Sequence, residues 1–178
     1  MRISATPVPC VDPPAFLIPV QMKPADLLDF WFSGESRKFW FDSSPAFDAR
    51  VRDGFEAPWR EASDGRLADW EATPDGALAL VILLDQMPLN MFRDQPAGYS
   101  TEAQSREVAR RAIEHGFDVR LGNAQKVFLY MPYMHSETLA DQDRAVELFT
   151  LAGLADNARW AGHHREIVRR FGRFPHRN

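Results

Sequence analysis

From residue 24 onward, apolar positions recur at three- and four-residue spacing, and the punctuation between them is that of helices. In "KPADLLDFWF" Pro24 stands in a first turn, where its missing N–H costs nothing, and Asp26 suits the positive end of the helix dipole. Ser44-Pro45 repeats that start signal. Behind it Phe47, Val51 and Phe55 fall at i, i+4 and i+8, an apolar stripe, and Pro58 is expected to kink or end this helix. Thr73-Pro74 opens a third segment that is apolar on every side from Ala77 to Leu84. Such a run reads as a buried helix; a buried parallel strand competes, but the Ala and Leu content and the Thr-Pro cap favour helix. Ser100 or Thr101 caps "EAQSREVARRAIEH", with Gly116 as its stop. "NAQKVFLYMPYM" predicts a helix broken near Pro132. Ser136 is expected to cap a helix running to Gly153, and Asp156 or Asn157 starts a last one ended by Gly172. No segment alternates with period two, so the chain reads as all-α. We expect about seven to nine helices of ordinary length with short connections, stacked as a right-handed array of antiparallel pairs. Residues 23–178 form one helical domain in this reading, and residues 1–22 a disordered or loosely attached extension.

Composition narrows the function classes. The chain has 178 residues, 45% hydrophobic and 26% charged, the balance of an ordinary soluble globular domain. A net charge of −4 argues against a general nucleic-acid binder. The charge is uneven: residues 163–178 carry +4 with His neutral, and residues 1–162 carry −8. A basic end on an acidic body is expected to dock onto it. The lone cysteine, Cys10, allows no intramolecular disulfide, which suits a reducing cytoplasm. "FLIPV" (16–20) is too short to span a membrane and lacks the features of a signal peptide.

Three groups of residues can carry chemistry. Asp85 sits at the end of the most apolar helix, where a buried carboxylate needs a cationic or hydrogen-bonding partner. Arg93 is near in sequence and the basic terminus is far, so a structural ion pair and a site carboxylate both remain open. Asn90 either caps the next segment or joins Asp85. In the last helix Trp160, His164, Ile167, Val168 and Phe171 share one face. His164 is thus a satisfied core histidine or a ligand, with His163 as a solvated neighbour. Around Ser136, Glu137 and Asp141 lie one turn apart, Arg144 is placed to pair with Asp141, and His135 precedes the cap. First-turn acids of a helix are one explanation, a site another. His135, Glu137, Asp141 and His164 supply metal-ligand atom types without a metal-binding spacing. No cofactor motif is present.

The strings "FWF" (30–32), "WF" (40–41), "LALVILLDQMPLN" (78–90), "FLYMPYMHSETLADQDRAVELF" (128–149) and "HREIVRRFGRFPHRN" (164–178) resemble the bacterial domain-of-unknown-function 924 family. The resemblance implies an all-helical, tetratricopeptide-like fold and no established activity, although the Trp, Leu and Gly spacing of a standard tetratricopeptide unit is absent. Two departures stand out. Met87 and Leu89 replace a Phe and an Arg usual after the Asp-Gln pair, so a local partner for Asp85 is missing. The family's segment beyond "FPHRN" is also missing.

Two function classes emerge. One is a scaffold whose helical groove takes a protein or peptide. The other is a site for a small anionic or polar molecule, with Glu137 or Asp141 as base, His164 as acid or ligand and Arg173 as anion anchor. Asp85, Asn90, His135, His176 and Arg177 would complete its binding residues. Neither involves a nucleic acid, a membrane, a metal or a cofactor. Saturated arginine–carboxylate pairs without a cavity would favour the scaffold. A pocket beside incompletely neutralised carboxylates would favour the site.

Overall fold

A computed structural model of the chain describes residues 22–177. The expectations for Cys10, for "FLIPV" and for residues 1–21 of the extension lie outside the described residues. Among the described residues the fold is all-α: α1 (Pro24–Trp31), α2 (Pro45–Ser63), α3 (Pro74–Met91), α4 (Glu102–Glu114), α5 (Asn123–His135), α6 (Leu139–Leu151) and α7 (Ala155–Phe171), joined by short links that include four 3-10 turns. The three proline start signals coincide with the first residues of α1, α2 and α3. Ser44 Oγ accepts from Phe47 N at 3.2 Å and Thr73 Oγ1 from Gly76 N at 3.1 Å, so two of these caps are made by side chains. Gly172 ends α7 at φ 71°, in the left-handed region that glycine reaches without strain.

The all-round apolar segment is the centre of the molecule. Every residue from Ala77 to Leu84 is buried, and α3 packs against α1, α2, α4 and α5. The other helix pairs, α4 with α5, α5 with α6 and α7, and α6 with α7, close one hydrophobic core that runs from Leu27 to Ala161. Gly76 permits the tight entry to α3, because a Cβ there would overlap the Trp70 carbonyl oxygen. No helix among the described residues is long and apolar enough to cross a membrane.

Proline does not break these helices where the sequence suggests it should. Pro58, Pro88 and Pro132 all lie inside continuous helices. A helical proline removes the hydrogen bond to the carbonyl four residues earlier. For Pro88 that carbonyl belongs to Leu84, and Thr101 Oγ1 donates to it at 2.6 Å. Thr101 in turn accepts from Trp59 Nε1 at 3.1 Å, so one hydroxyl ties α2, α3 and the start of α4 together. The consequence for the site is direct. Helix α3 continues to Met91, so Asp85 sits inside the helix rather than at its end, and Asn90 lies in its last turn rather than in a following loop.

Two further expectations change. Helix α6 starts at Leu139 after Thr138, not after Ser136; the Ser136 hydroxyl instead accepts from Thr138 N at 3.2 Å and donates to Asp141 Oδ2 at 2.6 Å. On α7 the apolar stripe is only partly a core stripe. Ala161 and Val168 are buried, whereas Trp160 and Phe171 are more than half exposed. The same spacing serves a buried face and a wet aromatic one.

Candidate functional site

Helix α3 brings Asp85 to the core with no exposure of its side chain. A carboxylate placed there must be met by a partner, since water cannot solvate it. The partner is an imidazole at the last residue of α5: His135 Nδ1 lies 3.0 Å from Asp85 Oδ1. The second oxygen accepts from Gln86 Nε2 at 2.5 Å, and the same amide nitrogen reaches Met131 Sδ at 3.2 Å. Among the described residues no arginine pairs with Asp85. His135 keeps 13% of its side chain exposed, and its Nε2 has no partner among the described residues.

The charges around His135 set its proton affinity. Burial alone would push the imidazole below its ordinary value. The Asp85 charge and hydrogen bond, helped by the charge of Glu102, outweigh burial and hold His135 above that value. Glu102 itself opens α4 and is pushed up by burial, although the adjacent Arg177 works against this. His164, half-buried in α7, is shifted the other way. Burial lowers it, and its Nδ1 rests 3.3 Å from the Met134 carbonyl oxygen.

His135 and His164 share the wall of a cavity of about 580 Å³ between α3, α5, α7 and the link before α2. Gln86, Met131, Met134, Trp40, Phe41 and Trp160 complete most of that wall. A second hollow of about 530 Å³ is lined by the Glu102–Arg177 pair together with Glu137, His176 and Tyr99.

The basic terminus folds back onto the body. Phe174 is buried; its N–H donates to Glu137 Oε1 at 2.7 Å, and its ring meets the His164 ring with centroids 5.4 Å apart. Arg177 Nη1 donates to Glu102 Oε2 at 2.8 Å, with its guanidinium over both Tyr99 and Phe174 at 4.5 and 4.8 Å. Within this pair Glu102 Oε1 and Arg177 Nε are buried without a partner among the described residues. His176 is exposed beside Phe174 at a ring separation of 5.8 Å. Arg173 is exposed and forms no ion pair among the described residues.

The sequence candidates therefore fall into four places. Asp85, His135 and His164 come together at the first cavity. Glu137, His176 and Arg177 gather at the second hollow. Asp141 is held by Arg106 of α4 at 3.0 Å and by Ser136, while Arg144 turns to Glu147 at 2.5 Å. Asn90 belongs to a separate cluster, donating to Asp48 Oδ1 at 2.8 Å and to Ser43 Oγ at 3.0 Å; there Arg93 grips Asp48 through Nε and Nη2 at 2.7 and 3.0 Å. Arg93 is thus the partner of Asp48, not of Asp85. Among the described residues no three His, Cys, Asp or Glu side chains are arranged to hold a metal ion.

Glu102, Trp40, Phe41 and Trp160 line the two cavities without being among the sequence candidates, although Trp160 is expected on the face of His164. Glu102 reads as an ordinary first-turn acid of α4, and only the return of residue 177 reveals its burial. Trp40-Phe41 and Trp160 carry a weak signal as large aromatics in a link and at a helix start.

A family model for bacterial proteins of unknown function, DUF924, matches residues 27–178. Among solved structures, a protein of unknown function from Agrobacterium tumefaciens is similar at 39% sequence identity, over 87% of this chain and 87% of that one, with a TM-score of 0.82. No curated protein matches.

Proposed function

The chain belongs to the DUF924 family of bacterial proteins of unknown function, and from that premise we propose that it binds a small molecule and exchanges a proton with it through His135. The observation that carries this reading is an imidazole paired with a fully buried carboxylate at the wall of a cavity of about 580 Å³. Cavities of this order hold metabolite-sized ligands.

The geometry supports a definite division of labour. Asp85 accepts from the Nδ1–H of His135, which fixes the ring and its tautomer and leaves Nε2 for the ligand. Asp85 raises the proton affinity of the imidazole above its ordinary value, so the pair favours the protonated ring, which donates from Nε2. After donation the same nitrogen is the base that takes the proton back. Gln86 orients Asp85 in turn. His164 stays neutral through burial and supplies a hydrogen-bonding edge rather than a charge.

In this reading Glu137 and Asp141 hold structure. Glu137 anchors the terminal segment at Phe174, and Asp141 fixes α6 to α4 through Arg106. Residues 23–178 act as one unit, because the cavity draws its wall from Trp40 to His164. The peptide-groove alternative rests on fold analogy and gains no residue-level support comparable to the Asp85–His135 pair.

The test is a thermal-shift screen of a metabolite collection on the wild type and on His135→Gln. At least one compound is expected to raise the melting temperature of the wild type and not of the variant. A screen with no stabilising compound, or with equal stabilisation of both proteins, contradicts the proposal.

A further inference from the structure

The wall of the first cavity is selective in shape and in charge. Its apolar part is largely aromatic, made by the indoles of Trp40 and Trp160 and the ring of Phe41, which stands at 78° to Trp40, together with the thioethers of Met131 and Met134. Trp40 is fixed in place. Its Nε1 donates to the Trp31 carbonyl at 3.0 Å, its ring meets Phe128 edge-on at 4.7 Å, and the Arg37 guanidinium lies 5.3 Å from its centroid. Phe41 and Trp160, by contrast, are 76% and 56% exposed, large rings that the core does not use. Exposed aromatics at the rim of a cavity are poised for a ligand.

The polar part of the wall is close to neutral. It consists of the amides of Gln86 and Asn157, the imidazoles of His135 and His164, and Asp156, which is ion-paired with Arg159 at 3.2 Å. Among the described residues no lysine or arginine lines the cavity. Gln86 commits its nitrogen to Asp85 and leaves its carbonyl oxygen as an acceptor, while the Asn157 amide makes no hydrogen bond within the described residues.

Each feature excludes a ligand class. A phosphate or polycarboxylate would enter a site without a matching guanidinium or ammonium, and its desolvation would go uncompensated. An aliphatic chain would bury the amides and His135 Nε2 unpaired. An ammonium would find Asp85 already engaged by His135 and Asp156 by Arg159, with no free carboxylate to meet it. A flat uncharged ring with donors and acceptors along one edge meets all the constraints, because aromatic side chains stack on its face and amides read its edge. Building on the cavity reading above, we propose that the ligand is an uncharged nitrogen heteroaromatic ring of about purine size. It packs among Trp40, Phe41 and Trp160, stacked on one ring and met edge-on by another, and is read at its edge by Gln86, Asn157 and His135.

The test is calorimetric titration of the full chain with adenine, adenosine 5′-monophosphate and indole. The last two keep a flat ring but add a ribose phosphate or remove the edge acceptors. Adenine is expected to bind roughly tenfold more tightly than the monophosphate and about fivefold more tightly than indole, and Trp160→Ala and Asn157→Ala each to weaken it by about tenfold. Both substitutions lie on an exposed or half-exposed part of α7, and unchanged melting temperatures verify that they fold. Equal or tighter binding of the monophosphate overturns the exclusion of charge. Equal binding of indole overturns edge recognition, and adenine binding unaffected by either variant overturns the location. If adenine does not bind while the screen still yields a compound that depends on His135, the ring inference falls and the site stands. If that screen is empty too, both fall.

Discussion

Helix α3 presents two carboxylate clusters, and they are resolved in opposite ways. At its C-terminal end Asn90 joins Asp48 of α2, which also receives both arms of the Arg93 guanidinium and the Ser43 hydroxyl. Both oxygens of that carboxylate are met by donors, and one donor carries a permanent charge. Despite partial burial, Arg93, Asn90 and Ser43 hold Asp48 below the usual carboxylate range. Five residues earlier, Asp85 is more deeply buried yet has no arginine, only an imidazole and an amide. The first arrangement is a fixed tie between two helices. The second places a titratable group between a buried charge and a cavity. Buried carboxylates that serve only stability are matched by permanent cations; one matched by a histidine can change its state.

Substitutions can break that contrast. The largest effect is expected from Asp85→Ala, which leaves His135 without its counter-charge in the core and costs about 3 kcal/mol near pH 6 by chemical denaturation. Its pH dependence is specific. Because the folded state raises the His135 value, the pair's contribution is fully present below the ordinary imidazole value of about 6.5 and is lost as pH rises through the elevated one. The penalty of Asp85→Ala should therefore shrink in alkaline solution.

Arg177→Ala should come next, at about 2 kcal/mol, since it strands the buried Glu102 carboxyl and removes the cation from between Tyr99 and Phe174. Asp48→Asn is expected to cost roughly 1 kcal/mol, because the partner Arg93 is half exposed and water screens the pair. Its pH profile runs opposite to that of Asp85→Ala. A lowered carboxylate contributes above its ordinary value of about 4 and loses that contribution as pH falls through the folded one. A profile for Asp48→Asn that fades in alkali instead would erase the distinction between the two clusters. Arg173→Ala, at an exposed position without an ionic partner among the described residues, should shift stability by less than about 0.5 kcal/mol.

Much of this contrast is hidden in the sequence for a physical reason. Local rules read well: the proline starts of α1, α2 and α3, the buried course of Ala77–Leu84 and the glycine stop of α7 depend on residues within one or two turns. The docking of the basic end is legible too, as a difference in charge between the two parts of the chain. Partner identity is not. Arg93 and Arg177 find Asp48 and Glu102 across 45 and 75 positions, while the nearer pairings of Arg93 with Asp85 and Arg144 with Asp141 do not form. Helix ends mislead for a related reason. Pro88 looks like a terminus until Thr101, supplied by the start of α4, satisfies the freed Leu84 carbonyl. That substitution of partners moves Asp85 from a helix end into the core and makes its pairing with His135 necessary.

If Asp85 controls the proton on a histidine that faces the cavity, an NMR titration of the His135 ring in the wild type and in Asp85→Asn will show it. We predict a wild-type midpoint above the ordinary imidazole value of about 6.5 and a variant midpoint below it, where burial is no longer opposed by the carboxylate. A His135 that titrates at or below the ordinary value in the wild type, or with the same midpoint in both proteins, would contradict that control.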